Sequence, residues 1–524
     1  MSNSQSTDVL IVGAGPVGLA LALGLARDGV NCRIIERDPD FRDRGVRGKG
    51  VTPRTMEVFD DLGVVDEIYA RADVNLKMRT YEGSRLVSET DPAPANLPTP
   101  DRPHLGVIML AQHHTEAVLR KRLADYGVTV ELGTSLTHYT QTDDEVIATV
   151  QQTSRTEQFS ARYLVGCDGG RSTVRKVTGI PFLGETWDEE RFLMGSVRID
   201  GLDPRCMHVW NDPDLGAGAL VLVPMTCDGT WAFHASVAPD ENGELPTPSL
   251  ANFRRLFAER AALPGVALHD LVWSTIWRPT VRMVERYRTG RVFLAGDAAH
   301  CHSAAGGQGM NTGIQDAHNL SWKLAAALRG APDSLLDSYQ AERLPVGTAL
   351  LAATSAQHRA LFDSQGAEVL AKQFNDATGT ASGADLTGLS IHYQGSLLSH
   401  DLDHATGIRA GDRAPDAPCR TADGADIRLF DLFRGPHFTL LAFGKPLAAH
   451  LPGTPGVRTV TVDDTAGAEV LDTYGHARRA YGVTGEATVL VRPDGYVALT
   501  AGPVGPQPVA SYLDELAPAE PTAH

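Results

Sequence analysis

The chain has 524 residues, of which 42% are hydrophobic and 21% charged, and it carries a net charge of −17. Single hydrophobic cores stop growing at roughly 250–300 residues, so two or three domains are expected. The acidity excludes the basic field that nucleic acid or an anionic membrane surface requires, yet it leaves room for an anionic cofactor held on local backbone amides.

Met1–Asp8 is short and polar and runs straight into a strand, which predicts no secretory leader. No apolar run approaches the ~20 residues of a membrane span. Cys32, Cys167, Cys206, Cys227, Cys301 and Cys419 are scattered and form no CxxC pair. Free thiols in a reducing cytoplasm are expected, with neither a zinc site nor a dithiol centre.

In chain order, Val9–Gly13 reads as a short apolar strand, Pro16–Gly29 as a helix and Asn31–Glu36 as a second strand. That βαβ opening predicts a parallel sheet. Arg54–Ala70 carries Met56, Val58, Phe59 and Leu62 at helical spacing and predicts one helix. Asp91–Pro103 is a proline-rich loop, Thr115–Tyr126 a helix, and Val128–Leu132, Val146–Gln151 and Tyr163–Gly166 are strands. Between Phe192 and Trp277, strand-like runs such as Gly218–Pro224 and Thr230–Ser236 are cut by Gly, Pro and Asp turns. This predicts a mainly antiparallel insertion. Gly290–Gly296 is another strand, and Gln308–Arg329 and Leu335–His358 are helices. From about Ile408 a small α/β domain follows, with strands at Phe438–Phe443 and Ala487–Arg492 and a strong turn at Pro493-Asp494-Gly495.

Three motifs carry the chemistry. Gly13-Ala14-Gly15-Pro16-Val17-Gly18 is a GxGxxG loop between strand and helix. Gly13 permits the turn, Gly15 lets backbone approach a pyrophosphate, and Gly18 lets helix and strand pack closely. Glu36 follows 18 residues after Gly18. Its carboxylate suits ribose hydroxyls and would repel a 2′-phosphate, so the loop points to FAD or NAD and cannot choose between them. The second motif is Cys167-Asp168-Gly169-Gly170-Arg171-Ser172-Thr173-Val174-Arg175. The third runs from Gly290 through Gly296-Asp297 to Gly306-Gly307-Gln308-Gly309-Met310-Asn311 and on to Asp316. Asp297 follows a strand and suits a ribitol hydroxyl, and the glycine run offers amides at the start of a long helix.

With these motifs in this order over about residues 7–360, the sequence resembles the FAD-dependent aromatic hydroxylases, the group A flavoprotein monooxygenases that include para-hydroxybenzoate hydroxylase and phenol hydroxylase. The resemblance implies a Rossmann-like FAD-binding α/β domain at 1–180 and 283–395. It also implies an inserted, mainly antiparallel substrate sheet at 181–282 with strands near 77–110, and a thioredoxin-like domain without CxxC at 405–524. It assigns Gly13, Gly15, Gly18 and Glu36 to the ADP-binding fingerprint, counts Val17 and Arg37 among the cofactor-binding residues, and places Arg47 in the region of the FAD phosphates. Gln112, Asp168, Arg171, Gly296, Asp297, Gly309, Met310 and Asn311 complete the expected cofactor contacts. Arg47 also fits an ordinary surface arginine, and Asp168 with Arg171 also fits a structural ion pair at a turn. His300 and His302 lack a carboxylate or cysteine at metal-site spacing, so no metal is expected. Lys49 faces either the flavin and substrate or solvent. Family members carry proline just before Gly-Gly-Gln-Gly, where this chain has Ala304.

The implied reaction is O2-dependent hydroxylation of a phenolic or polycyclic, polyketide-like aromatic through a flavin C4a-hydroperoxide, with NADPH or NADH as transient reductant. The flavin carries the chemistry, so no catalytic side chain is singled out. Phe192, Met194, Trp210 and Phe233, together with Trp273, are apolar candidates for the substrate pocket, and each also fits ordinary core. A Baeyer–Villiger or epoxidising monooxygenase, and a non-catalytic flavoprotein that sequesters an intermediate, remain as alternatives. A cytoplasmic monomer or homodimer without nucleic-acid or membrane partners is expected.

Overall fold

The structure is a computed structural model that describes residues 6–41, 45, 48–93, 97–104, 106–153, 155–188, 190–212, 216–302, 307–361, 387–403, 406–444, 456–465, 468–503 and 506–517. Arg47, Ala304 and Gly306 lie outside the described residues.

The expected parallel sheet is present. Its strands run in the order Arg288–Thr289, Val292–Leu294, Arg155–Gly166, Ser6–Val12, Cys32–Ile35, Val130–Glu131. Every neighbouring pair from Val292–Leu294 to Val130–Glu131 is parallel. Strands covered on both faces read as continuous apolar runs, and Val9, Leu10, Ile11 and Val12 are all buried. An antiparallel hairpin, Ser135–Gln141 and Val146–Gln152, extends beside Arg155–Gly166. The sheet thus draws its last strands from chain beyond residue 280, after the inserted domain.

Helix α1 (Pro16–Arg27) begins with proline, whose missing N–H is no loss in a first turn. The predicted helix over Arg54–Ala70 is two helices, α2 (Pro53–Asp61) and α3 (Val65–Tyr69). Gly63, at φ +71, turns the chain between them, while the Gly63 and Val64 amides satisfy the Asp60 and Phe59 carbonyls. Apolar spacing continues across such a turn, so periodicity alone misses it. Further along lie α4 (Gln112–Ala124) and α5 (Thr173–Thr178). They are followed by α6 (Leu250–Ala261), α7 (Gly309–Leu328) and α8 (Ser334–Leu361).

The inserted sheet has seven strands, ordered Ala267–Trp277, Arg191–Asp200, Thr230–Val237, Gly216–Met225, Cys206–Asp212, Lys77–Glu82, Arg85–Thr90. All pairs are antiparallel except Cys206–Asp212 with Lys77–Glu82. Ile108–Met109, expected near this sheet, pairs instead with Gly50–Val51. One face of the sheet packs Trp210, Leu220, Leu222 and Phe233 against Phe253, Leu256 and Phe257 of α6. The other face carries Met207, Val209, Val223 and Ala232 and meets Met109 and Ala111 of the first domain.

The C-terminal region forms an eight-stranded mixed sheet from His400–Asp401 to Asp426–Arg428. Its central strand, Phe438–Phe443, is parallel to Val457–Asp463 and antiparallel to Ala487–Val491. It docks on α2, where Glu57 binds Arg413 at 2.7 Å and Asp60 binds Arg428 at 2.6 Å. A second contact is wholly buried: Glu342 of α8 holds both Lys323 of α7 and Arg492, each at 2.6 Å.

Candidate active site

Parallel strands present their carboxyl ends at one edge, and in open α/β sheets ligands lie along that edge. Here Val12 is level with Ile35 and Gly166, and Gly166 with Leu294. The three motifs follow immediately. Gly13 donates to the Ile35 carbonyl at 2.8 Å, Cys167 to Val12 at 2.8 Å, and Ala295 to Gly166 at 3.0 Å. Segments about 150 and 280 residues from the glycine loop in sequence are therefore stitched to it by backbone bonds.

The glycine loop divides by role. Gly13 stands at φ +103, and a Cβ there would lie 2.5 Å from the Cys167 carbonyl. A Cβ on Gly18 would lie 2.0 Å from the Gly13 carbonyl. A Cβ on Gly15 would meet nothing within 4 Å among the described residues. That open space lies at the N-terminus of α1, where free amides and the helix dipole favour an anion. Val17 lies 2.8 Å from the place of a Gly296 Cβ and 2.6 Å from that of a Gly313 Cβ, so it locks α1 against α7 and the third motif. Glu36 accepts from the Ala14 amide at 2.9 Å and the Asp38 amide at 3.1 Å, which aims its carboxylate at the loop. Arg37 is exposed and stands 3.9 Å from Asp38, away from the loop contacts.

In the second motif, Asp168 caps α5 by accepting from the Thr173 amide at 2.6 Å and the Val174 amide at 3.2 Å. Its Oδ1 is buried with no hydrogen-bond partner among the described residues. Burial raises its carboxyl above the usual range, against the lowering effect of the capped amides. Arg171 is exposed, and no Asp168–Arg171 ion pair forms among the described residues. Arg175 makes the tie instead. It donates to the Gly170 carbonyl at 2.7 Å and to the Ala298 carbonyl at 2.9 Å, bridging the second and third motifs.

In the third motif, Gly296 turns at φ +60 and Asp297 projects exposed. The turn hangs on Asp316 of α7, which accepts from the Gly296 amide at 3.1 Å and contacts His300 at 2.7 Å and Arg343 at 2.7 Å. His300 is thus a buried partner of a carboxylate. Burial would raise the Asp316 carboxyl, but Arg343 and His300 overcome it and hold it below the ordinary value. Neither Asp316 nor Arg175 was singled out by the sequence, although both lie inside the motifs. Their partners are far off in the chain, and only the fold reveals them.

Gly309, Met310 and Asn311 form the first turn of α7. The Asn311 side chain faces the protein: it accepts from the Thr52 amide at 3.0 Å and donates to the Gly50 carbonyl at 2.9 Å. Gln112 pins the other end of the same segment, accepting from the Gly48 amide at 3.1 Å. A Cβ on Gly48 would stand 3.4 Å from Met310 Sδ. Gly48–Thr52 is therefore laid along the start of α7.

Opposite lies one face of the inserted sheet. Residues directly across a strand pair share a face, so Met194, His234, Val221 and Val209 project together, as do Phe192 and Ser236. This is the face that meets the first domain: Lys49 Nζ reaches His234 Nε2 at 2.8 Å, and Gly45 abuts the Trp273 ring. Met194 and Phe192 lie on this face. Trp210 and Phe233 do not, because they point to the other face and pack beneath α6. Alternation says which residues share a face but not which face meets the cofactor domain.

The arrangement fits FAD on two geometric counts: the clearance above Gly15 and the Asp168 Oδ1, unpartnered among the described residues, both lie on the strand-end edge. His113, His114 and Asp228 bring potential ligand atoms within 4.8 Å of one another, but the two imidazoles share the Asp228 carboxylate and tie α4 to the turn before Thr230. Among the described residues, no helix is long and apolar enough to cross a membrane.

Comparison with known proteins agrees with this geometry. The family model "FAD binding domain" matches residues 6–354, and "Aromatic-ring hydroxylase, C-terminal" matches residues 408–517. A flavin-dependent monooxygenase of Mycobacteroides abscessus is 39% identical over 94% of this chain and 96% of its own. The 6-methylpretetramide 4-monooxygenase of Streptomyces rimosus is 34% identical over 98% of this chain and 94% of its own. The crystal structure of aklavinone-11 hydroxylase with FAD and aklavinone superposes with a TM-score of 0.82 at 29% identity, covering 98% of this chain and 99% of that one. The strand-edge site with its three motifs and these full-length similarities together establish that the chain belongs to the FAD-binding aromatic-ring hydroxylases, a family of flavin-dependent monooxygenases.

Proposed function

We propose that this protein hydroxylates a phenolic or polycyclic, polyketide-like aromatic, consuming NAD(P)H and O2. The observation that carries the reading is the apposition of two surfaces: the strand-end edge with its three motifs, and the Met194–His234–Val221 face of the inserted sheet. The first holds a dinucleotide, and the second offers a broad, largely apolar wall suited to a flat substrate. Aklavinone-11 hydroxylase and 6-methylpretetramide 4-monooxygenase, both named for polycyclic substrates, support that choice.

Bound at this edge, FAD supplies the redox and oxygen-transfer chemistry that side chains lack. The protein's own residues do the rest. Gly15 leaves room for the pyrophosphate at the amides of α1, Glu36 receives the ribose hydroxyls, and Asp168 Oδ1 and Asp297 present acceptors further along the edge. The first turn of α7, held in place by Asn311, would offer its amides to the flavin ring. The sheet above excludes water and orients the ring to be attacked. The six unpaired cysteines support a reducing, cytoplasmic setting.

The test is NADPH and NADH oxidation by the purified yellow protein against a panel of phenols and polycyclic phenols. Substrate-stimulated oxidation with a product one oxygen atom heavier is expected. Mass and hydrolysis of the product distinguish ring hydroxylation from lactone or epoxide formation. Oxidation that no aromatic stimulates, with hydrogen peroxide as the sole product, defeats the reading.

A further inference from the structure

Lys49 sits on a piece of backbone fastened from both sides between the two surfaces. Gly48 is bonded in both directions to Gln112, the Lys49 carbonyl accepts from the Leu110 amide at 2.7 Å, and the Gly50 carbonyl accepts from Asn311 at 2.9 Å. A strand held on both sides has little freedom, so the direction of the Lys49 side chain is set by the fold. It leaves the cofactor domain and crosses to the inserted sheet, where its ammonium donates to His234 Nε2 at 2.8 Å. His234 is flanked on its own face by Met194 and Val221.

Lysines rarely leave water without a counter-charge. Lys49 is partly buried, and among the described residues no carboxylate pairs with it; its partner is an imidazole. Burial lowers the ammonium to about 8, and burial together with Lys49 pushes His234 well below its usual range, so the imidazole is neutral and accepts the hydrogen bond. Lys49 and His234 are the titrating groups in contact at this point, and Arg47 lies outside the described residues. A neutral acceptor aims an ammonium without discharging it. Among the described residues, two of the three N–H bonds of that ammonium have no partner and can serve a ligand.

We propose that Lys49, aimed by His234, is the cationic anchor for an ionised hydroxyl of the aromatic substrate, so that the site binds the phenolate or enolate in preference to the phenol. The inference rests on the aromatic-hydroxylase reading above and names the group that recognises the substrate oxygen. The substrate proton is released to water as the anion enters, so binding is a one-proton equilibrium. Ring hydroxylation benefits because a phenolate is a stronger electron donor than a phenol.

The experiment uses the FAD-loaded protein and 4-nitrophenol, whose anion is coloured, read as difference spectra near pH 6, where the free compound is mostly protonated. The wild type is expected to bind the coloured anion. Lys49→Met weakens that binding about 10- to 100-fold, the loss of one charge-assisted hydrogen bond. Lys49→Arg restores most of it, and His234→Ala gives a partial loss. FAD content and melting temperature of each variant serve as the structural control, since a lysine that merely supports the fold would lower both. If Lys49→Met binds the anion as tightly as the wild type, the assignment of Lys49 falls while the hydroxylase reading stands. If the wild type binds 4-nitrophenol only as the neutral phenol, the anchor is overturned as well. A holoenzyme that neither binds nor is stimulated by any phenol overturns the hydroxylase reading and this inference together.

Discussion

At the scale of single residues, the glycine loop shows how one motif contains two kinds of constraint. Gly13 and Gly18 are small because protein lies against them: Cβ atoms there would stand 2.5 Å and 2.0 Å from carbonyl oxygens. Gly15 is small although a Cβ there would meet no other described residue within 4 Å, and its backbone, at φ −72 and ψ −177, is open to any residue. On the proposed reading, the FAD pyrophosphate would supply the constraint on Gly15. Gly15→Ala is expected to fold with an unchanged melting temperature as apoprotein, and to weaken FAD binding about 10-fold or more through the steric conflict. Gly18→Ala is expected to lose about 1–3 kcal/mol of stability before any cofactor is added. Thermal melts of apoprotein and fluorescence titration with FAD separate the two; a destabilised Gly15→Ala apoprotein would contradict the distinction. The motif was legible in the sequence because its residues are adjacent. Which glycine answers to the protein and which to the ligand was not, because the atoms that decide it come from Cys167 and from empty space.

At the scale of elements, α7 is the spine of the site. Its first turn carries Gly309, Met310 and Asn311, and one face of it holds Asp316, which suspends the Gly296 turn and meets His300 and Arg343. The helix and its motif were legible from apolar spacing and the glycine run. The role of Asp316 was not, since Arg343 belongs to the next helix and His300 to the strand before. Paired buried charges are costly to separate, because the survivor is left in low dielectric. Asp316→Asn keeps the shape and removes the charge, stranding the buried Arg343 guanidinium. We expect a loss of about 3–5 kcal/mol in denaturant unfolding. FAD retention should fall at the same time, because the Gly296–Asp297 turn loses its support. A variant that unfolds like the wild type would show that Asp316 is not the point of suspension. Trp210 and Phe233 illustrate the limit at this scale: as apolar strand residues they read equally as pocket or core, and only the packing of α6 decides that their face is core.

At the scale of the whole molecule, the C-terminal region is tied to the cofactor domain through acids at the end of α2, and at Asp61 two helices and the C-terminal region meet. Its carboxylate takes Arg27 from α1 at 2.7 Å, His318 from α7 at 2.9 Å and the Gly435 amide of the C-terminal region at 3.1 Å. Nothing in the local sequence distinguishes it from its neighbour Asp60, because the partners stand 34, 257 and 374 residues away. Burial alone would raise the Asp61 carboxyl, but Arg27 and His318 together hold it at about 2. An unfolded aspartate titrates near 3.9, so the folded value is depressed. The stabilisation is therefore complete above about pH 4 and is lost as pH falls toward 2, with an order of magnitude of about 2 kcal/mol. Asp61→Asn removes this titration. At neutral pH the variant should unfold at lower denaturant than the wild type, and on acidification from about pH 5 to about pH 2 the gap should narrow by about 2 kcal/mol. Urea midpoints across that range provide the measurement, and two curves that stay parallel would mean that Asp61 does not join the parts electrostatically. Because the Gly435 amide shares the same carboxylate, limited proteolysis should release the C-terminal region earlier as the pH falls in the wild type. In Asp61→Asn that release should occur already at neutral pH.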